Sequence, residues 1–263
     1  MGKYLVLRTP SGISGDMLVT GLAVLSGHLN EDLEKFISGI GLRELSHCLK
    51  ISEVFVDGIS GWRATIQFPS IRTRQDGVCS HGVQHAKRTY RDIQKIVAES
   101  LLSERAKKIA ETVFDNLARA EGEIHGIDPA QVSFHEIGST DSILDVCLAA
   151  ALFDRIHPDA FFCSPLPVCD GKIPCAHGIL SSPAPATLKL LTGVPVYGID
   201  SEGETVTPTA IALLKALNVR FGTWPAIRIE KSVRVYGSRI LPNIPNGAIF
   251  ALGRAVSDEQ LFP

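Results

Sequence analysis

The sequence predicts an α/β protein: a mixed sheet with interleaved helices, plus a β-hairpin and a long amphipathic helix. Three observations carry that class. Short apolar runs alternate with helical periods along most of the chain. Lys50 to Val56 and Trp62 to Phe68 alternate apolar and polar residues around Asp57-Gly58, as a hairpin with a longer loop would. Ile109, Val113 and Leu117, with Ala110, Phe114 and Ala118, form one apolar stripe at helical spacing.

The elements follow in order. Tyr4 to Leu7 is an apolar strand, and Asp16 to Leu25 a helix rich enough in Leu, Val and Ala to pack on a sheet. Asn30 to Ile37 reads as a second helix, opened by an Asn cap with acids in its first turn. After the hairpin, Ser70 to Lys87 is polar and aperiodic, a loop expected to be mobile over about 70–88, with His81 and His85 in it. Thr89 followed by Asp92 resembles a capping box and starts a helix. Ser103 opens the long amphipathic helix, which Gly126 stops. A short extended piece, a turn at Gly138 and a buried helix from Thr140 to Arg155 come next. Ala160 to Val168 reads as a strand, and the stretch SSPAPATLKLL as a Pro-rich lead into a short helix. Val194 to Tyr197 is a strand, Thr207 to Leu217 a helix with Pro208 in its first turn, and Ala226 to Val235 and Ala248 to Arg254 are the last strands. No internal repeat interrupts this order.

The chain has 263 residues and is 45% hydrophobic, enough for a substantial core, and we read it as a single domain over 1–263. Its 26 Lys and Arg balance 28 Asp and Glu, so no basic field attracts nucleic acid or anionic lipid. The apolar run before Pro10 is too short for an export signal or a membrane span, which makes a cytoplasmic location without membrane partners the expectation. The six cysteines are then reduced thiols, mostly apolar fillers.

Four stretches carry candidate chemistry. In Ser11-Gly12-Ile13-Ser14-Gly15-Asp16 the glycines let backbone amides approach a ligand at a helix start, while Asp16 calls for a cation or a hydroxylated group; a plain turn with an N-terminal acid is the other reading. FHEIGSTDSILD crowds His135, Glu136, Asp141 and Asp145 together, with Asp141 and Asp145 on one helix face. Such a set ligates a divalent metal or moves protons, unless it is a capped helix with a satisfied core histidine. Cys169, Cys175 and His177 suit nickel, zinc or copper, at a spacing that matches no closed structural zinc site. Glu204, Thr207 and Thr209 stand at a helix start, where capping explains one threonine and a sugar or phosphate contact would use both.

Taken together, SGISGDM, YRDI, FHEIGSTDSILDV, SPLPV, CAHG, PAPATLKLL and ETVTPT, in that order and spacing, resemble the N-terminal part of the LarC family from Leu5 to about Gly253. That family comprises nickel-insertion proteins of nickel-pincer nucleotide cofactor biosynthesis. The resemblance implies insertion of nickel into a pyridinium-3,5-bisthiocarboxylic acid mononucleotide in a CTP-dependent step, a lyase-class cyclometallation forming carbon–nickel and sulfur–nickel bonds. Carried onto this chain, it implies as site positions Ser11, Ser14, Asp16, His135, Glu136, Asp141, Asp145, His177, Glu204, Thr207 and Thr209, and the chemistry of these side chains makes Asp16, His135, Glu136 and Asp141 the catalytic candidates. Ser11, Gly12, Ser14, Gly15, Glu204, Thr207 and Thr209 would contact the mononucleotide, and His135, Glu136, Asp145, Cys175 and His177 the nickel. Arg8 and Pro10 stand where many relatives have an acidic and an aromatic residue, which would invert charge at the site mouth. Cys169 and Ala210 replace glycines. Relatives usually carry a histidine-rich tract before YRDI, of which His81 and His85 remain. The family's C-terminal, CTP-binding part has no counterpart here, so a separately encoded CTP-binding partner, with Mg²⁺ or Mn²⁺, is the expectation. Two alternatives are a non-catalytic carrier of metal or nucleotide, and a metal-dependent hydrolase of another phosphoester using His135 and Asp141.

Overall fold

The structure is a computed structural model that describes residues 2–42, 45–67, 88–134, 140–175, 178–241 and 244–257, with the side chains of 174 and 175 set aside. Its centre is a mixed sheet of seven strands. β1 (Lys3–Arg8) pairs in parallel with β6 (Ala160–Cys163) and antiparallel with β13 (Ala248–Ala255). β6 carries β11 (Arg220–Phe221) at one edge. Beyond β13 come β12 (Ile227–Val235), β3 (Ile59–Ile66) and β2 (Leu49–Val56), giving the order β11-β6-β1-β13-β12-β3-β2. Parallel and antiparallel neighbours thus coexist, as the mixed-sheet expectation requires.

Helices cover the sheet in tiers. α1 (Gly15–Ser26) lies on β3, β12 and β13; α5 (Thr140–Ile156) packs on α1, and α4 (Glu104–His125) on α5. α5 is buried almost all round, which its run of Ile, Leu, Val and Ala dictates for a helix enclosed by other helices. α1 approaches the sheet closely because position 21 is glycine: a Cβ there would lie 2.5 Å from the Phe250 ring. α3 (Tyr90–Glu99) starts with the expected capping box, Thr89 and Asp92 bonding reciprocally. α4 ends at Gly126, in the left-handed conformation at φ 66°. The cysteines whose side chains are described, Cys48, Cys147, Cys163 and Cys169, are free and buried, and burial pushes the Cys147 and Cys163 thiols up to about 12. No helix among the described residues is long and apolar enough to cross a membrane.

Several local expectations need correction. The β2–β3 hairpin closes on a tight turn rather than a longer loop: Val56 faces Ile59, and Asp57 and Gly58 both take positive φ, 50° and 78°. Asn30 precedes α2 (Glu31–Ile40) without capping it, its Oδ1 accepting instead from Ile51 N–H at 3.3 Å. The strand expected over 160–168 breaks at Ser164-Pro165 into β6 and β7 (Leu166–Val168), which pairs with β10 (Val196–Gly198) apart from the main sheet. A hairpin of β8 (Lys172–Cys175) and β9 (Gly178–Ser181) stands where the sequence offers only a Cys and His cluster. Residue 88, placed in the loop, opens β4 (Arg88–Thr89), which pairs with β5 (Ser133–Phe134). Residues 68–87, with His81 and His85, lie outside the described residues. A 3₁₀ turn at Pro129–Gln131, α6 (Pro185–Leu190) and α7 (Pro208–Ala216) complete the described elements.

Candidate functional site

A bridge between two loops assembles the site. Ile13, after β1, pairs with Val206, ahead of α7: Ile13 N–H donates to Thr205 O at 2.9 Å, and Thr207 N–H donates to Ile13 O at 3.2 Å. Only glycine permits this approach at position 12, where φ is +107° and a Cβ would sit 1.8 Å from Thr205 O. Gly15 plays the same part toward α5, since a Cβ there would fall 2.4 Å from Asp145 Oδ2. The starts of α1, α5 and α7 are thereby drawn around one cleft of about 990 Å³.

Each of those helix starts contributes side chains. Ser14, Gly15 and Asp16 come from α1, Asp141, Ser142 and Asp145 from α5, and Thr207, Pro208 and Thr209 from α7. Three helix starts line the cleft, and the positive ends of their dipoles favour an anion there. Arg63 and Thr65 of β3, Glu121 and His125 at the end of α4, Glu204 and Ser238 add polar groups, and Ile173, Leu180 and Ala184 supply an apolar wall.

Ser14 occupies the cap position of α1 without capping it, because its hydroxyl donates to Asp16 Oδ1. Burial raises the Asp16 carboxyl above the usual carboxylate range, against the pull of the Ser14 hydroxyl, the backbone amides of Met17 and Asp16, and the Arg63 charge. Asp145 is raised further: desolvation comes first, then the negative charges of Asp16 and Asp141. Both carboxyls keep an edge on the cleft and lose water chiefly to the depth of its floor. Neighbouring carboxyls in such a place either hold protons or accept a cation. Asp141 Oδ1 is buried without a hydrogen-bond partner among the described residues, an acceptor left for something that enters the cleft.

The structure separates the residues expected to act together. Ser14, Gly15, Asp16, Asp141, Asp145, Glu204, Thr207 and Thr209 all line the cleft. Thr207 also caps α7, accepting from Ala210 N–H at 3.3 Å, and Glu204 accepts from Thr187 Oγ1 at 3.1 Å. Ser11 and Gly12 stand behind the lining: Ser11 Oγ accepts from Gly247 N–H at 3.0 Å, and Gly12 serves the bridge. His135, Glu136, His177 and the side chain of Cys175 lie outside the described residues. Among the described residues no three His, Cys, Asp or Glu side chains converge to hold a metal ion.

Arg8 does not invert charge at the mouth: its guanidinium donates to Gly222 O at 2.7 Å and lies 5.0 Å from the Trp224 ring, away from the lining. Cys169 is buried with its thiol on Gly203 O at 2.8 Å, and Ala210 is buried within α7. Sequence reasoning missed Arg63, Thr65, Ser142, Ser238, Glu121 and His125. The signal available for Arg63 was its place in the alternation Trp62-Arg63-Ala64-Thr65-Ile66, which puts Arg63 and Thr65 on one face of the strand.

A family model described as nickel insertion protein matches residues 5–260. A pyridinium-3,5-bisthiocarboxylic acid mononucleotide nickel insertion protein of Desulfitobacterium hafniense (strain DSM 10664 / DCB-2) is 37% identical over 251 residues, covering 95% of this chain and 58% of the relative. One of the same name from Geobacillus kaustophilus (strain HTA426) is 37% identical over 244 residues, covering 93% of this chain and 58% of that protein. The chain therefore spans less than two thirds of the length of these relatives. No solved structure matches it.

Proposed function

Since the chain belongs to the nickel insertion protein family, we propose that its cleft binds a pyridinium-3,5-bisthiocarboxylic acid mononucleotide and takes part in placing nickel, a substrate of the reaction, into it. The observation that carries this reading is the meeting of the SGISGD, TDSILD and ETVTPT segments around one cleft, with three helix starts facing inward. Helix N-termini and hydroxyls suit a phosphorylated ribose, and the carboxylates of Asp16, Asp141 and Asp145 suit a cation beside it. His135, Glu136, Cys175 and His177 complete the nickel-handling set in this proposal, and Ser11 and Gly12 support the loop from behind. CTP, with Mg²⁺ or Mn²⁺, is assigned to a region beyond the matched one, on the same polypeptide or on a separate partner. The setting is cytoplasmic.

Calorimetric titration of the metal-stripped protein with Ni²⁺ and with the mononucleotide, each alone and then together, tests the proposal. The mononucleotide is expected to bind, and to tighten nickel binding when both are present. Mononucleotide binding with no response to nickel would make the protein a carrier. Silence to both would remove the reading.

A further inference from the structure

Two polar atoms in the cleft are buried and unpartnered among the described residues: Arg63 Nε, a donor, and Asp141 Oδ1, an acceptor. Each is costly to leave so, and native proteins keep few of them. They do not satisfy one another: Arg63 stands on β3 and Asp141 at the start of α5, and α1, whose first turn carries Asp16, packs against both elements. Arg63 is also the one lysine or arginine among the described residues lining the cleft.

We propose that Arg63 is the phosphate anchor of this cleft and Asp141 the acceptor for ribose hydroxyls, so that the ligand lies with its phosphate toward β3 and its sugar toward the start of α5. The inference rests on the mononucleotide reading above and adds its polarity. A guanidinium offers a planar fork of donors that fits phosphate oxygens, and its buried Nε has no competing acceptor. A carboxylate only accepts, so the partner at Asp141 must donate. An ionised phosphate only accepts as well, so at that end it would leave the Asp141 Oδ1 acceptor without a donor. A ribosyl phosphate carries an acceptor-only end and a hydroxyl end, which is the order the cleft presents.

The test compares nicotinate mononucleotide, nicotinate riboside and ribose 5-phosphate as probes of the full chain, in chelator-treated buffer so that no metal bridges them. The wild-type protein is expected to prefer the mononucleotide over the riboside by roughly ten- to a hundredfold, the range for hydrogen bonds to charged groups. Arg63→Gln is expected to abolish that preference while leaving riboside affinity unchanged, and Arg63→Lys, which keeps the charge without the fork, to give an intermediate ratio. Asp141→Asn is expected to weaken riboside and ribose 5-phosphate alike. If Arg63→Gln fails to fold, as a thermal transition would show, the Arg63→Lys ratio decides the matter on its own. Equal losses for mononucleotide and riboside, or none, would overturn the anchor. Ribose 5-phosphate binding that depends on Arg63 without any binding of the pyridine nucleotide would keep the anchor and remove the pyridinium substrate. Mononucleotide binding indifferent to Arg63 would do the reverse.

Discussion

At the scale of single residues, Asp145 has a measurable consequence that separates function from stability. Its carboxyl sits in the cleft floor beside Asp16 and Asp141, and burial raises its pKa well above the ordinary value. Between the unfolded and folded pKa values the native state holds the extra proton, so stability falls as pH rises through that window. Above the folded value the full cost of the buried charge is present. Asp145→Asn keeps the shape and removes the charge. The variant should therefore be more stable than the wild type at pH 7, by on the order of 1 kcal/mol, with the gain vanishing toward about pH 4. Its ligand binding should fall. Denaturant unfolding across pH checks this, and a variant that is less stable at pH 7 would show that Asp145 is held by partners rather than desolvated. The pairing of Asp141 with Asp145 on one face was legible because a helix period fixes it. Arg63 was not, since a strand's alternation says which residues share a face but not what that face meets.

At the scale of elements, legibility followed the strength of local signals. α4 was readable from its stripe, its Ser103 cap and its Gly126 stop, and α3 from its capping box. The β8–β9 hairpin is not legible in the sequence because Pro174 and the shortness of both strands hide its alternation. β11 was missed because it has two residues and exists only by pairing with β6. β6 and β7 read as one strand because both are apolar, although Pro165 between them interrupts the run. The cap of α4 is a tertiary device as well as a local one: Ser103 Oγ accepts from Ala106 N–H at 3.1 Å and donates to Asp154 Oδ2, 2.6 Å away on α5. Ser103→Ala should thus cost about 1 kcal/mol or somewhat more. A paired Asp154→Asn cycle isolates the α4–α5 share. If the two losses simply add, the hydroxyl caps α4 and does not tie it to α5.

At the scale of the whole molecule, the cleft belongs to no single stretch of chain. Its lining runs from Ser14 to Ser238, and the strand that positions Ser14, β1, sits between β6 and β13, so the first strand is held by the last. The Ile13–Val206 bridge adds another long-range closure. A site made this way forms only when the sheet and its helical tiers have formed, which is why motifs alone named its carboxylates but not its shape. Ligand binding should then be coupled to global unfolding rather than to a local opening. Mononucleotide at a hundred times its dissociation constant should raise the unfolding free energy by about 2.7 kcal/mol. The chain carries its own reporters toward opposite edges of the sheet: Trp62 in β3, next to Arg63, and Trp224 just past β11, under the Arg8 guanidinium. Fluorescence of Trp62→Phe and Trp224→Phe variants, followed through denaturant with and without ligand, should show both remaining tryptophans shifting by the same amount. A shift confined to Trp62 would mean that the β3 side of the cleft orders separately from β6 and β11, and that the ligand stabilises a part of the fold instead of the whole.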